Sequence, residues 1–161
     1  MKHLILIRHA ETAEKVTGRT DKDRELTTSG MRQAASVGQF LKNHSTAIDI
    51  ILSSEALRAI TTAQLIAEQL TTGDDLVEID DELYQASVGT LFEKLRSGDE
   101  HHNIAIVGHN PTISYFAEFL TGSSVEDMKP CTVLILNLSI GSWKELTKGS
   151  ASLLDRFDVT R

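Results

Sequence analysis

Arg8 and His9 stand side by side where an apolar run ends (LILIRHAE), Arg58 follows a second such run (IILSSEALRA), and His109 closes a third (IAIVGHNP). Arginine presents a planar fork of donors matched to phosphate oxygens. An unprotonated imidazole nitrogen can attack phosphorus and carry the phosphoryl group covalently. A histidine set beside two arginines has its positive form disfavoured, which favours that unprotonated nitrogen. Each residue also suits a duller place: Arg8 and His9 a solvated strand end, Arg58 a surface position off the apolar stripe of its helix, His109 a structural turn. Two arginines and two histidines at three equivalent strand ends are hard to assign to packing, and together they point to one phosphate site. Asn110 followed by Pro111 reads as an N-cap and first-turn pair, so a helix is expected to start directly after His109. Its unpaired N–H groups favour an anion, which adds Asn110 to the phosphate-binding set.

These residues must be positioned by the elements around them. Leu4–Ile7, Ile48–Leu52 and Ile104–Val107 read as strands buried on both faces. A polar loop from His9 to Glu25 follows the first, and a helix is expected from about Thr28 to His44. Ala56, Ala59, Ile60, Ala63, Ile66, Ala67 and Leu70 form the apolar stripe of a second helix. Further helices are expected over Val88 to Arg96 and from Pro111 to about Leu120, and the tail from Val133 alternates strand-like runs with turns at Gly141 and Gly149. Strands alternating with helices indicate an α/β fold, a three-layer sandwich whose mostly parallel central sheet has helices on both faces. Ligands of such sheets bind outside the carboxyl ends of the strands, where Arg8, His9 and His109 fall.

At these residues the sequence resembles the histidine phosphatase superfamily, also called phosphoglycerate mutase-like. LIRHAE, SSEALRAITTA and VGHNP are similar to its signature segments. The RHA start, the DRELTTSG segment, the short length and the lack of a large insertion resemble its small SixA-type phosphohistidine phosphatases. The resemblance runs from Leu4 to about Gly122 and is looser in the tail, and residues 1–161 read as a single histidine phosphatase domain. It implies that His9 is the nucleophile and is transiently phosphorylated, that Arg8 and Arg58 clamp the phosphoryl oxygens, and that His109 donates to them in the transition state. Water then restores His9. No metal or other cofactor is implied, since arginine and histidine supply the charge stabilisation that magnesium gives elsewhere. Arg24 and Thr27 match a segment at the pocket rim, and Glu11 and Thr12 are candidate secondary contacts.

Larger members of this family carry a carboxylic acid that protonates the leaving oxygen. Here Glu82, in IDDELYQAS, is the best candidate by position and Asp81 the next. The competing reading is that Asp74, Asp75, Glu78, Asp80, Asp81 and Glu82 form only a solvated acidic loop. A phosphorylated imidazole needs such an acid less than an alkoxide does, because it can leave as a neutral base. The substrate expected is therefore a phosphohistidine on another protein. A small phosphate ester, such as a sugar phosphate or nucleotide, is the alternative, and a non-catalytic phosphate-binding module is a third reading.

Other residues carry less. His101 and His102, with His44, suggest a metal only weakly, since adjacent turn histidines point apart. Trp143 reads as a partly buried packing residue, and Cys131, beside an apolar run, as a small core residue. One cysteine excludes an internal disulfide framework and fits a reducing, cytoplasmic setting; no signal peptide or membrane-spanning run is evident.

With 161 residues, 40% hydrophobic and 24% charged, the composition is that of an ordinary globule with little left over for a cap enclosing the substrate. The formal net charge of -7 argues against nucleic acid or an anionic membrane surface as partner. Residues 1–60 nevertheless carry 9 Lys and Arg against 7 Asp and Glu, whereas residues 61–161 carry 7 against 16. A small basic pocket in an acidic body repels bulky polyanions while holding one phosphoryl group.

Overall fold

A computed structural model of the chain describes residues 1–70, 74–97 and 100–159, with Asp74 described by its backbone alone. Strands β1 (Lys2–Arg8), β2 (Ile50–Ser54), β3 (Val77–Asp80), β4 (Asn103–Gly108), β5 (Val133–Leu138) and β6 (Ala151–Phe157) form one six-stranded sheet in the order β3-β2-β4-β1-β5-β6. The first four run parallel to one another, and β5 is antiparallel to both its neighbours. Helices α1 (Thr28–Asn43), α2 (Leu57–Leu70), α3 (Val88–Arg96) and α4 (Thr112–Thr121) cover the faces, as expected of an α/β three-layer sandwich.

Alternation along the strands builds two cores. Leu4 and Leu6 of β1, with Ile104 and Ile106 of β4, pack on one face against Leu91 and Leu95 of α3 and Phe116 and Leu120 of α4. Ile5, Ile7, Ala105 and Val107 turn to the opposite face and meet Val37 of α1 and Ala63 and Ile66 of α2. Both faces exclude water, so the central strands read as unbroken apolar runs.

The register sets the site. Arg8 pairs with Gly108, and Ser53 of β2 with Val107, so β1, β4 and β2 end together along one edge. Three expectations need correction. The second strand starts at Ile50 rather than Ile48 and continues through the fully buried Ser53 and Ser54. Part of the acidic run is a strand, β3: among the described residues it pairs only with β2, and while Glu78 is exposed, Asp80 is largely covered and paired with Lys94. Helix α4 starts at Thr112, with Pro111 itself in the N-cap position after a cis Asn110–Pro111 bond, so Asn110 is not the cap.

The excursion between β1 and α1 is clipped back onto its own start. Thr27 N–H donates to the Glu11 carbonyl at 3.0 Å and Ala13 N–H to the Glu25 carbonyl at 2.8 Å. Thr27 also caps α1 by accepting from Gly30 N–H. A β-carbon at Gly30 would lie 2.1 Å from the Glu11 carbonyl oxygen, so only glycine lets the helix start this close to the strand-end turn.

Candidate active site

His9 begins the turn after β1, its N–H donating to the Gly108 carbonyl at 3.1 Å. Its ring Nδ1 lies 2.9 Å from the Ala10 carbonyl oxygen. A carbonyl can only accept, so Nδ1 carries the proton and Nε2 keeps a lone pair. Thr12 Oγ1 donates to the same carbonyl at 2.9 Å and lies 3.2 Å from Nδ1. The His9 pKa is pushed down to about 3, first by burial and then by His109, Arg58 and Arg8, with the Ala10 hydrogen bond opposing. The charge effect of the arginines read from sequence is present, but loss of water is the larger cause.

The turn is tied down on both sides. Ala10 N–H donates to Thr62 Oγ1 at 3.0 Å, and that hydroxyl donates to the Arg58 carbonyl at 2.7 Å, fixing the His9 turn to the first turns of α2. Opposite, Cys131 N–H lies 3.1 Å from the Arg8 carbonyl and 3.2 Å from that of His9. Cys131 holds a left-handed φ of 64°, and its thiol is buried and pushed up to about 12. It is a core residue at a strained position, not a nucleophile.

Arg8 donates from Nη1 to the Met128 carbonyl at 2.8 Å, while its Nε is buried without a partner among the described residues. Arg58, almost wholly buried, donates from Nη1 to the Asp21 carbonyl at 2.8 Å and from Nη2 to Asp21 Oδ2 at 2.9 Å. The Tyr84 hydroxyl donates to that same carboxylate oxygen at 2.5 Å. The Tyr84 hydrogen bond first, then Arg58 and Arg24, hold the Asp21 carboxyl well below the usual carboxylate range.

His109 follows β4. Its Nε2 sits 2.8 Å from Ser54 Oγ at the end of β2, and its ring centroid lies 5.1 Å from that of His9. Burial, then Arg58, lowers its pKa to about 4 against the opposing pull of Asp21. Asn110 donates from Nδ2 to the Met128 carbonyl at 3.0 Å and accepts at Oδ1 from Ser114 Oγ at 2.6 Å. Its side chain braces the loop beside Arg8.

A cleft of about 510 Å³ opens over these groups. Arg8, His9, Arg58, His109 and Asn110 all line it, with Glu11, Thr12 and Arg24 from the following loop and Asp21, Tyr84, Gln85 and Pro130 besides. Glu82 does not. Its side chain is 61% exposed and pairs with Lys94 Nζ at 2.9 Å, and the same ammonium takes Asp80 at 2.8 Å. The Asp80 side chain caps the short turn Asp81–Leu83, which turns Glu82 toward α3. Asp81 lies on the exposed surface of that turn and does not line the cleft either. The structure thus places both general-acid candidates, Glu82 and Asp81, outside the cleft, on an acidic segment of which the Asp74 side chain lies outside the described residues. Thr27 is a helix cap rather than a cleft residue.

Elsewhere, His44 pairs with Asp155 at 3.3 Å, and among the described residues no group of three or more His, Cys, Asp or Glu is placed to hold a metal. Residues 98–99 of the turn before His101 and His102 lie outside the described residues. Trp143 is completely buried rather than partly so, its Nε1 donating to the His101 carbonyl at 2.7 Å.

Four residues that matter here were not singled out from sequence: Ser54, Thr62, Asp21 and Tyr84. Ser54 sits at a strand end, Thr62 lies one helical turn after Arg58 and Asp21 one turn before Arg24, so spacing offered a signal for three. Nothing local marks Tyr84.

The chain matches the family model described as Histidine phosphatase superfamily (branch 1) over residues 4–91, a span that holds Arg8, His9 and Arg58 and ends before His109. An uncharacterised protein of Mycobacterium tuberculosis (strain ATCC 25618 / H37Rv) is 32% identical over 166 residues, covering 96% of this chain and 100% of its own length. Among solved structures, a SixA protein from Nakamurella multipartitia superposes with a TM-score of 0.81 at 25% identity, over 98% of this chain and 95% of its own. The protein histidine phosphatase SixA, in a structure with tungstate, superposes with a TM-score of 0.81 at 21% identity over 96% of this chain and 95% of its own, and shares the fold.

Proposed function

The chain belongs to the histidine phosphatase superfamily, and from that premise we propose that it is a metal-independent protein phosphohistidine phosphatase working through a phosphorylated His9. Family and fold support phosphatase activity in general; the cleft supports the finer reading. The observation that carries it is the Nδ1–H of His9 on the Ala10 carbonyl, which leaves Nε2 as the attacking atom.

In the first step Nε2 attacks phosphorus, the P–N bond of the substrate breaks, and its electron pair goes to the leaving ring. Arg8 and Arg58 neutralise the phosphoryl oxygens as they spread, with a neutral His109 as a further donor. In the second step water attacks phosphorus and His9 departs as a neutral imidazole, because Nδ1 still holds its proton. On this reading the two arginines do the work of a metal, so chelation is expected to leave the rate unchanged.

The substrate follows from the carboxylates. Of the two that line the cleft, Asp21 is held ionised and Glu11 sits at the exposed rim accepting the Thr27 hydroxyl at 2.8 Å. Neither is arranged to protonate a departing alkoxide, whereas an imidazole brings its own proton. The partner on this reading is a phosphorylated histidine on another protein in the cytoplasm, the buried thiol Cys131 fitting a reducing compartment. The acidic chain disfavours nucleic acid, and among the described residues no helix is long and apolar enough to cross a membrane.

Phosphate release from a phosphohistidine-containing carrier protein, run beside sugar phosphates and nucleotides, tests the reading. The carrier is expected to be the best substrate by kcat/KM. Preference for a small ester overturns it.

A further inference from the structure

Resting on the phosphohistidine reading above, we propose that Asp21 selects the leaving group: its Oδ1 accepts the N–H of the substrate's phosphorylated imidazole and so favours P–N over P–O substrates.

A carboxylate lining a phosphate cleft is a liability for phosphate binding, because like charges repel. Asp21 nevertheless lines the same cleft as His9 and lies near enough to His109 to act on its charge. Its two oxygens are used unequally. Oδ2 takes both Arg58 Nη2 and the Tyr84 hydroxyl, whereas among the described residues Oδ1 has only Arg24 Nη1 at 3.4 Å, the long limit of a hydrogen bond. A carboxylate oxygen accepts about two such bonds. The side chain is 44% exposed, so Oδ1 retains room for a further donor.

Held ionised, Asp21 can accept a proton-bearing group but cannot supply a proton. A phosphorylated imidazole with N–H on its second nitrogen is such a group, and its ring is cationic. When the P–N bond breaks, the electron pair returns to the ring nitrogen that held phosphorus, the N–H stays in place, and a neutral imidazole departs. An accepting anion at that N–H keeps the ring in the form that leaves readily. The Ala10 carbonyl makes the corresponding contact with His9 Nδ1–H for the second step. An aryl or alkyl phosphate has no N–H, and its leaving oxygen gathers negative charge beside Asp21.

The test compares kcat/KM for phosphoimidazole and for para-nitrophenyl phosphate, with wild type and Asp21→Asn each assayed as single preparations. The ratio of the two values cancels any difference in the folded fraction. The P–N to P–O ratio is expected to fall about tenfold or more in Asp21→Asn, the size of one charge-assisted hydrogen bond. Equal losses on both substrates would overturn the inference and reduce Asp21 to a residue that positions Arg58. A wild type that hydrolyses the aryl ester and not phosphoimidazole overturns the phosphohistidine reading itself, a different pattern. A second measurement needs no variant. Wild-type acceleration of N-methylated phosphoimidazolium, corrected for its spontaneous hydrolysis, is expected to fall well below that of phosphoimidazole, and equal acceleration contradicts the contact.

Discussion

Charged side chains meet opposite fates at two places where the parallel strands of this sheet end. Past the central strands β1 and β4, and at the start of α2, Arg8, His9, Arg58 and His109 are drawn together and largely stripped of water. At the end of the edge strand β3, Asp80 and the exposed Glu82 share one lysine, Lys94, instead of meeting at the cleft. Burial pushes both histidines far below their ordinary range at the centre, where on the proposed reading a neutral nucleophile and desolvated cations act strongly on a bound phosphoryl group. At the edge the same kinds of charge are screened by solvent and count for little. Nearness in sequence does not decide which groups meet: Glu82 faces solvent while Tyr84, two residues on, lines the cleft.

Breaking the centre should be costly. His9→Ala removes the atom that takes the phosphoryl group, and kcat/KM on an aryl phosphate is expected to fall by about 10⁴ or more. Ser54→Ala leaves His9 untouched but frees the His109 ring from its 2.8 Å contact. A loss of about tenfold in kcat is expected, since small misplacements of a catalytic group are expensive.

The buried histidines also make an acid-stability signature that the edge lacks. In the unfolded chain each ring titrates near 6.5, whereas in the folded protein the values are about 3 for His9 and about 4 for His109. Below pH 6.5 the unfolded chain binds more protons, so stability is expected to decline as pH falls from 6.5 toward 4 and to be unaffected by these groups above 7. Urea midpoints at pH 7 and pH 5 measure this, and the decline should shrink in His9→Ala. The same low values keep the imidazoles neutral, so kcat/KM should show no acid limb near 6.5 from either ring. The smallest effect belongs to the edge: Glu82→Gln should leave turnover of every phosphate substrate within about twofold. A large loss there would erase the contrast between the two regions.

The four central residues were legible because parallel strands bring their carboxyl ends to one line, and each unbroken apolar run announces such a strand. Glu82 was not, because an acidic segment has the same composition whether it faces a cleft or solvent. Its direction is decided by the Asp80 cap and by Lys94, which reaches it from 12 residues away. Strand β3 was missed for a related reason: with only four residues and one partner it needs little apolar content. Asn110 illustrates a local signal overridden nearby. Its N-cap chemistry was real, but Pro111 took the cap position and released the amide to the Met128 carbonyl. Asp21 and Tyr84, 63 residues apart, meet only because the loop after β1 folds back over α2.

The central claim is that the phosphoryl group passes through Nε2 of His9. Rapid mixing with phosphoimidazole, an alkaline quench that spares the acid-labile P–N bond, and mass spectrometry of the peptide bearing His9 test it directly. The expected result is a phosphoryl group on His9 that forms and decays at rates able to account for turnover. Steady phosphate release with His9 unmodified throughout, or with the phosphoryl group on another residue, would contradict it.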